Sequence, residues 1–201
     1  MAEKHPDLMT FEEFAEWCET QEDRYELIEG IPVLKDPLPS EDQRPGMMAG
    51  AKKRHDTVVV NAIAALRPQL RGGPCRPFSG DTLVRVSIRR GRRPDVGVDC
   101  GNTDDDDHEA SAPTLAIEVL SPSTRPTDLH TKIAEYQRIP TMRYVILVDP
   151  RRIDVSFSSR EDEGAWETRT IEDADAVLEL PSIDARLPIR DLYEDVTLEG
   201  G

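Results

Sequence analysis

Cysteine is scarce in this sequence, and Cys18, Cys75 and Cys100 stand at wide spacings with no CxxC pair and no histidine pattern beside them. That excludes a zinc ribbon or finger and speaks against a disulfide framework, so all three are expected to be ordinary buried thiols. Long apolar runs are missing too. None approaches the ~18 residues of a membrane span, and the opening MAEKHPDLMTFEEF has no signal-peptide core. The expected address is the cytoplasm, with no membrane partner. Positive charge is in deficit: the net charge of −15 argues against a whole-surface nucleic-acid binder, because Lys and Arg supply most of the non-specific affinity for phosphate. What remains is a chain of 201 residues, 37% hydrophobic and 32% charged, enough for one soluble domain with a real core.

Charge is unevenly spread. Between Lys52 and Arg93 there are eleven Lys or Arg against only Asp56 and Asp81, a local balance of +9. Such a zone is either a set of solvated faces or a surface that meets phosphate, with Arg89, Arg90, Arg92 and Arg93 as its densest part. The acidic run Asp104–Asp107 reads as a solvated loop, since four consecutive aspartates cannot all face one ion.

Periodicity and punctuation place the elements. Thr10 and Glu13 form a T-x-x-E capping box ahead of FEEFAEWC, which predicts a short amphipathic helix. YELIEGIPVLKDP alternates around Glu29-Gly30 and predicts a hairpin whose second strand, carrying Pro32, lies at an edge. His55 opens a long helix whose apolar positions Val58, Val59, Ala62, Ile63, Leu66 and Leu70 share a face, ended by Gly72-Gly73. CRPFSG, DTLVRVSI and PDVGVDC read as short strands, the last two joined by a turn around Gly91. TLAIEVLS and RYVILVDP read as strands buried on both faces, separated by the helix DLHTKIAEYQRI. Residues 37–52 and 101–111 are expected to be the least ordered internal parts.

Glu118 is the odd residue in this pattern. An ionised carboxylate inside a doubly buried strand costs several kcal/mol unless it is paired or bound to a metal.

The segments YELIEG, RRPDVGV, IEVLSPST, DLHTKIAEY and RYVILVDP, in that order, resemble those of the Uma2 (Uma-two) family, classed with the PD-(D/E)XK restriction-endonuclease-like proteins. The resemblance runs from Thr10 to LPIRDLY near the end. It implies an α/β fold with an αβββαβ core and a mixed central sheet, preceded by an N-terminal helix and hairpin. On that reading residues 1–201 form one domain, with the core at about 54–149, the helix and hairpin at 10–36 and further strands at 152–193. It also implies Mg²⁺, or Mn²⁺ in its place, held by Asp95 and Glu118.

The chemistry agrees. A phosphodiester is a poor electrophile flanked by negative charge, so its hydrolysis profits from a hard cation that neutralises developing charge and acidifies an attacking water. Asp95 and Glu118 on neighbouring strands supply a carboxylate pair, and the Val119 carbonyl a third oxygen. The lysine usually found two residues after the glutamate is absent, that position being Leu120. Lys132 on the following helix, where the resemblance places a family lysine, takes the role of stabilising the transition state; the plainer alternative is an i,i+4 ion pair with Asp128. Tyr136, one turn on, either positions Lys132 or is core. Glu26 either completes the metal's surroundings or faces outward on its strand, and His55 either contacts phosphate or packs at a helix end. The functions that follow are a divalent-metal-dependent endonuclease acting on DNA, expected to be a homodimer, or a non-catalytic nucleic-acid-binding or regulatory protein on the same fold.

Overall fold

The structure, a computed structural model, describes residues 8–35, 48–102, 107–121, 126–162 and 164–199. Helix α1 (Phe11–Cys18) begins at the capping box: the Glu13 N–H donates to the Thr10 hydroxyl and the Thr10 N–H to the Glu13 carboxylate. Its apolar face buries Phe11 and Phe14 against Leu27 and Leu83. Strands β1 (Tyr25–Ile28) and β2 (Ile31–Leu34) form the hairpin. Glu29 and Gly30, at φ 50° and 81°, make its two-residue turn, the left-handed geometry that matches the twist of the flanking strands. β2 is an edge strand, where the missing N–H of Pro32 is tolerated.

Helix α2 (Met48–Gln69) starts at Met48, so His55 lies well inside it rather than at its start. Then come β3 (Arg76–Ser79), β4 (Val84–Ser87), β5 (Arg90–Arg92), β6 (Val96–Asp99), β7 (Pro113–Val119), α3 (Pro126–Tyr136) and β8 (Tyr144–Val148). The chain closes with β9 (Val155–Ser159), β10 (Glu167–Ile171), β11 (Val177–Leu180), β12 (Ala185–Pro188) and α4 (Ile189–Leu192).

The main sheet has the order β10-β9-β8-β7-β6-β3. Its pairs are antiparallel except β7 with β8, the pair that the α3 crossover links in parallel. The run α2, β3, β6, β7, α3, β8 is the αβββαβ core. Both β7 and β8 are buried along their whole length, as their apolar runs predict. One face of the sheet, with Val96, Val98, Leu115, Ile117 and Val119, packs on Val58, Ala62 and Leu66 of α2. The other, with Ala116 and Val145, packs on Tyr136 of α3 and on Ile139 and Met142 after it.

Three expectations change. The strand at 84–87 leaves the core: β4 pairs with β5 and joins the hairpin in a second sheet of order β2-β1-β5-β4. Gly91 is inside β5 rather than in a turn, because the Phe11 ring lies over it and a Cβ there would stand 2.6 Å from Phe11 Cε2. Second, Cys75 and Cys100 form a disulfide. They continue the antiparallel register that pairs Arg76 with Asp99, so two cysteines 25 residues apart in sequence become direct cross-strand neighbours. Third, of the loops expected at 37–52 and 101–111, residues 37–47 and 103–106 lie outside the described residues, whereas 48–52 belong to α2 and Leu83 exchanges backbone hydrogen bonds with His108 and Ala110, which ties down the end of the second one. Among the described residues no helix is long and apolar enough to cross a membrane.

Candidate active site

Register brings Asp95 and Glu118 together. The antiparallel β6–β7 ladder pairs Val96 with Ile117, and one step further along the same register Asp95 stands opposite Glu118. Directly opposed residues project from the same face of a sheet with Cβ atoms about 5 Å apart. Here that face is the one covered by α3. At this step the ladder opens, and the Asp95 carboxylate takes over as acceptor: the Val119 N–H donates to Asp95 Oδ2 at 2.8 Å.

Asp95 is surrounded by donors. Lys35 Nζ donates to Oδ1 at 2.8 Å, and His55 Nε2 lies 3.2 Å from Oδ2. Burial alone would raise its pKa, but the His55 hydrogen bond and the Lys35 charge outweigh it and hold the carboxyl well below the usual range. The reciprocal effect appears at His55, where burial is overcome by Asp95 and the imidazole is held above its ordinary value.

Glu118 is placed differently. Tyr136 OH donates to its Oε1 at 2.7 Å, and Lys132 Nζ reaches its two oxygens at 3.3 and 3.4 Å. Burial pushes its pKa up, and the charges of Asp95 and Glu26 add to that push while Lys132 opposes it. Lys132 itself is held above its ordinary value in spite of burial, because Glu118 and Glu26 both face it. One lysine is thus satisfied by two carboxylates, whereas Glu118 shares that lysine and stands among like charges.

Glu26 is buried rather than outward-facing. Its Oε1 accepts from Lys132 Nζ at 3.1 Å and from the Arg93 N–H at 3.2 Å, and its Oε2 from Arg92 Nη1 at 2.7 Å. Arg92 Nε donates in turn to Glu135 on α3 at 2.6 Å, and Arg90 bridges Glu135 and Glu29. A chain of alternating charges therefore runs from Glu118 through Lys132, Glu26, Arg92, Glu135 and Arg90 to Glu29, tying the hairpin to α3. Lys132 is spent inside this chain; the side chain of Asp128, its i,i+4 alternative, lies outside the described residues.

The arginine cluster needs correction. Arg92 and Arg93 are buried, and Arg93 donates to the carbonyls of Tyr25 and Asp81. Arg90 is half-buried on two glutamates. Of the four, only Arg89 is exposed as a phosphate-facing residue has to be. Part of the +9 counted in sequence is balanced in space by acids from outside the segment, Arg85 by Glu12 and Glu109, Arg54 by Glu199.

Lys35 was missed by sequence reasoning. It follows β2 directly, and its side chain is only 6% exposed, with the ammonium against Asp95. No local signal marks it, since a lysine before Asp-Pro at a strand end has the look of a solvated one.

The donor set suits a hard dication. Two carboxylates at opposed positions are what Mg²⁺ usually takes from protein, with waters completing its octahedron. Among the described residues no group of three or more His, Cys, Asp or Glu is placed to hold a metal ion.

A family model described as Uma2, "Putative restriction endonuclease", matches residues 42–190. A protein of Synechocystis sp., slr1290, itself described as uncharacterized, is 27% identical over 184 residues, covering 90% of each chain. A crystal structure of "a putative nuclease belonging to DUF820" from Anabaena variabilis superposes with a TM-score of 0.65 at 20% identity, over 92% of this chain and 98% of that one. At that identity the likeness speaks for the fold alone.

Proposed function

The chain belongs to the Uma2 family of restriction-endonuclease-like proteins, and from that premise we propose that it is a Mg²⁺-dependent endonuclease that hydrolyses DNA phosphodiester bonds. The observation that carries the reading is the opposition of Asp95 and Glu118 at the point where β6 parts from β7, with Lys132 against Glu118. Asp95, Glu118 and the Val119 carbonyl would hold the cation, which when bound polarises the phosphoryl oxygen and acidifies an attacking water.

The residues around it have separable tasks. Asp95 is kept ionised by His55 and Lys35, so it is ready to ligate at any pH near neutrality. Tyr136 fixes Glu118 Oε1 with a hydrogen bond and so sets the direction of its carboxylate. Lys132 brings a positive charge that the α3 helix and Glu26 hold in position, where it stabilises charge developing on the phosphate. Arg89 meets the DNA backbone. A homodimer would bring two such sites to the two strands of a duplex.

The test is a cleavage assay on supercoiled, linear and single-stranded DNA with Mg²⁺ or Mn²⁺. Wild type should cut, D95N and E118Q should not, and K132M should lose on the order of a hundredfold or more in rate while keeping cation binding. Arg89→Ala should weaken DNA binding and reduce its salt dependence by about one phosphate contact. A wild-type protein that binds DNA yet cleaves none under any of these conditions would replace the enzyme with a binding protein.

A further inference from the structure

Both oxygens of Asp95 already face donors among the described residues: Lys35 meets Oδ1, and Val119 N–H and His55 meet Oδ2. Resting on the cation site just proposed, we propose that Lys35 is an internal counter-cation, and that a divalent ion enters by exchanging with its ammonium at Asp95.

Charge balance favours exchange over simple addition. The buried carboxylates of Asp95, Glu118 and Glu26 are matched by the ammoniums of Lys35 and Lys132, with Arg92 and Glu135 offsetting each other. With His55 deprotonated, that leaves one negative charge in excess. A dication added to this set overshoots to one positive charge in a desolvated place, whereas a dication that displaces one ammonium leaves it neutral.

Geometry decides which ammonium goes. Lys132 is held by Glu26 at 3.1 Å as well as by Glu118 at 3.3 Å, so it keeps a carboxylate when Glu118 turns to the ion. Lys35, among the described residues, has the single carboxylate partner Asp95. It also sits just beyond the end of an edge strand, where a four-carbon stem swings out without disturbing a ladder. Lys35 would therefore set the cation affinity of the site without touching the substrate.

Two measurements on the full chain test this, with Mn²⁺ as the probe. In calorimetric titrations Lys35→Met should take up Mn²⁺ at least about tenfold more tightly than wild type, the worth of one charge-assisted hydrogen bond no longer opposing entry. Lys35→Arg, which restores the charge, should return affinity towards that of wild type. In wild type itself, acetylation of Lys35 followed by peptide mass mapping should rise as Mn²⁺ saturates the protein. This second readout needs no variant to fold. Wild type that binds Mn²⁺ while Lys35 labelling stays constant, or K35M that binds no more tightly, overturns the exchange and leaves the nuclease reading standing. Absence of Mn²⁺ uptake by wild type and both variants overturns both.

Discussion

Neutralising Asp95 and neutralising Glu118 should have opposite consequences for the stability of the metal-free protein. Asp95 accepts from Lys35 on one oxygen and from Val119 on the other, each at 2.8 Å. In D95N, whichever way the amide is turned, its NH₂ meets one of those donors, and Lys35 loses its carboxylate. Breaking a buried pair by removing one partner costs about 3–5 kcal/mol, which for a chain of this length is on the order of 10 °C in Tm. Glu118 is different because its carboxyl is held above the ordinary value of 4.5: the fold disfavours the charge it carries. In E118Q the amide oxygen still accepts from Tyr136 and Lys132 keeps Glu26, so Tm should stay level or rise. The pH dependence follows with definite signs. The folded pKa of Asp95 is depressed, so its contribution is present above about 3.8, its ordinary value, and the D95N deficit should shrink as pH falls towards the folded pKa. The folded pKa of Glu118 is raised, so any E118Q gain should be full above that value and vanish below 4.5, where both folded and unfolded chains are protonated. Thermal unfolding in EDTA from pH 3 to 8 (roughly the span in which carboxyls titrate) reads both. An E118Q protein that loses as much stability as D95N would refute the assignment of strain to Glu118.

Three further perturbations separate the supporting parts. Arg92→Ala takes a cationic partner from both buried Glu26, left with Lys132, and buried Glu135, left with Arg90, and should cost about 3–5 kcal/mol in urea unfolding, while Arg89→Ala should leave the midpoint unchanged. Paired Cys75→Ser and Cys100→Ser substitution should lower stability by about 3.5 kcal/mol from the chain entropy of the 25-residue separation, and intact mass before and after reduction should show the bond directly. Gly97→Ala would set a Cβ 2.1 Å from Phe78 Cζ; it should cost about 1–3 kcal/mol by overpacking, and adding Phe78→Leu should recover most of that in the same unfolding assay.

What the sequence disclosed was whatever is encoded locally. The capping box at Thr10, the turn at Glu29-Gly30 and the edge position of Pro32 are each decided within a few residues, and each stands where it was expected. The out-of-place Glu118 in an apolar strand was legible because the cost of burying it is independent of the fold. Partnership across the chain was not. The guanidinium of Arg92 looks identical in sequence whether it meets DNA or Glu26, 66 residues away. The Cys75–Cys100 pair depends on the register of β3 against β6, which no spacing rule gives, and β4 left the core because the docking of Phe11 over Gly91 favours a second sheet. Lys35 was hidden for the same reason: its partner Asp95 is 60 residues away.

The hairpin that carries Glu26 and Lys35 lies ahead of residue 42, where the family match begins. The trio of Asp95, Glu118 and Lys132 is therefore only half of an electrostatic circuit whose other half, Lys35 and Glu26, is carried by the hairpin. A fragment cut at the family boundary would keep all three residues and lose the charges that balance them. If Lys35 competes with the cation as proposed, a chain that kept those three residues but carried a neutral side chain at position 35 would bind the ion more tightly with its ligands untouched.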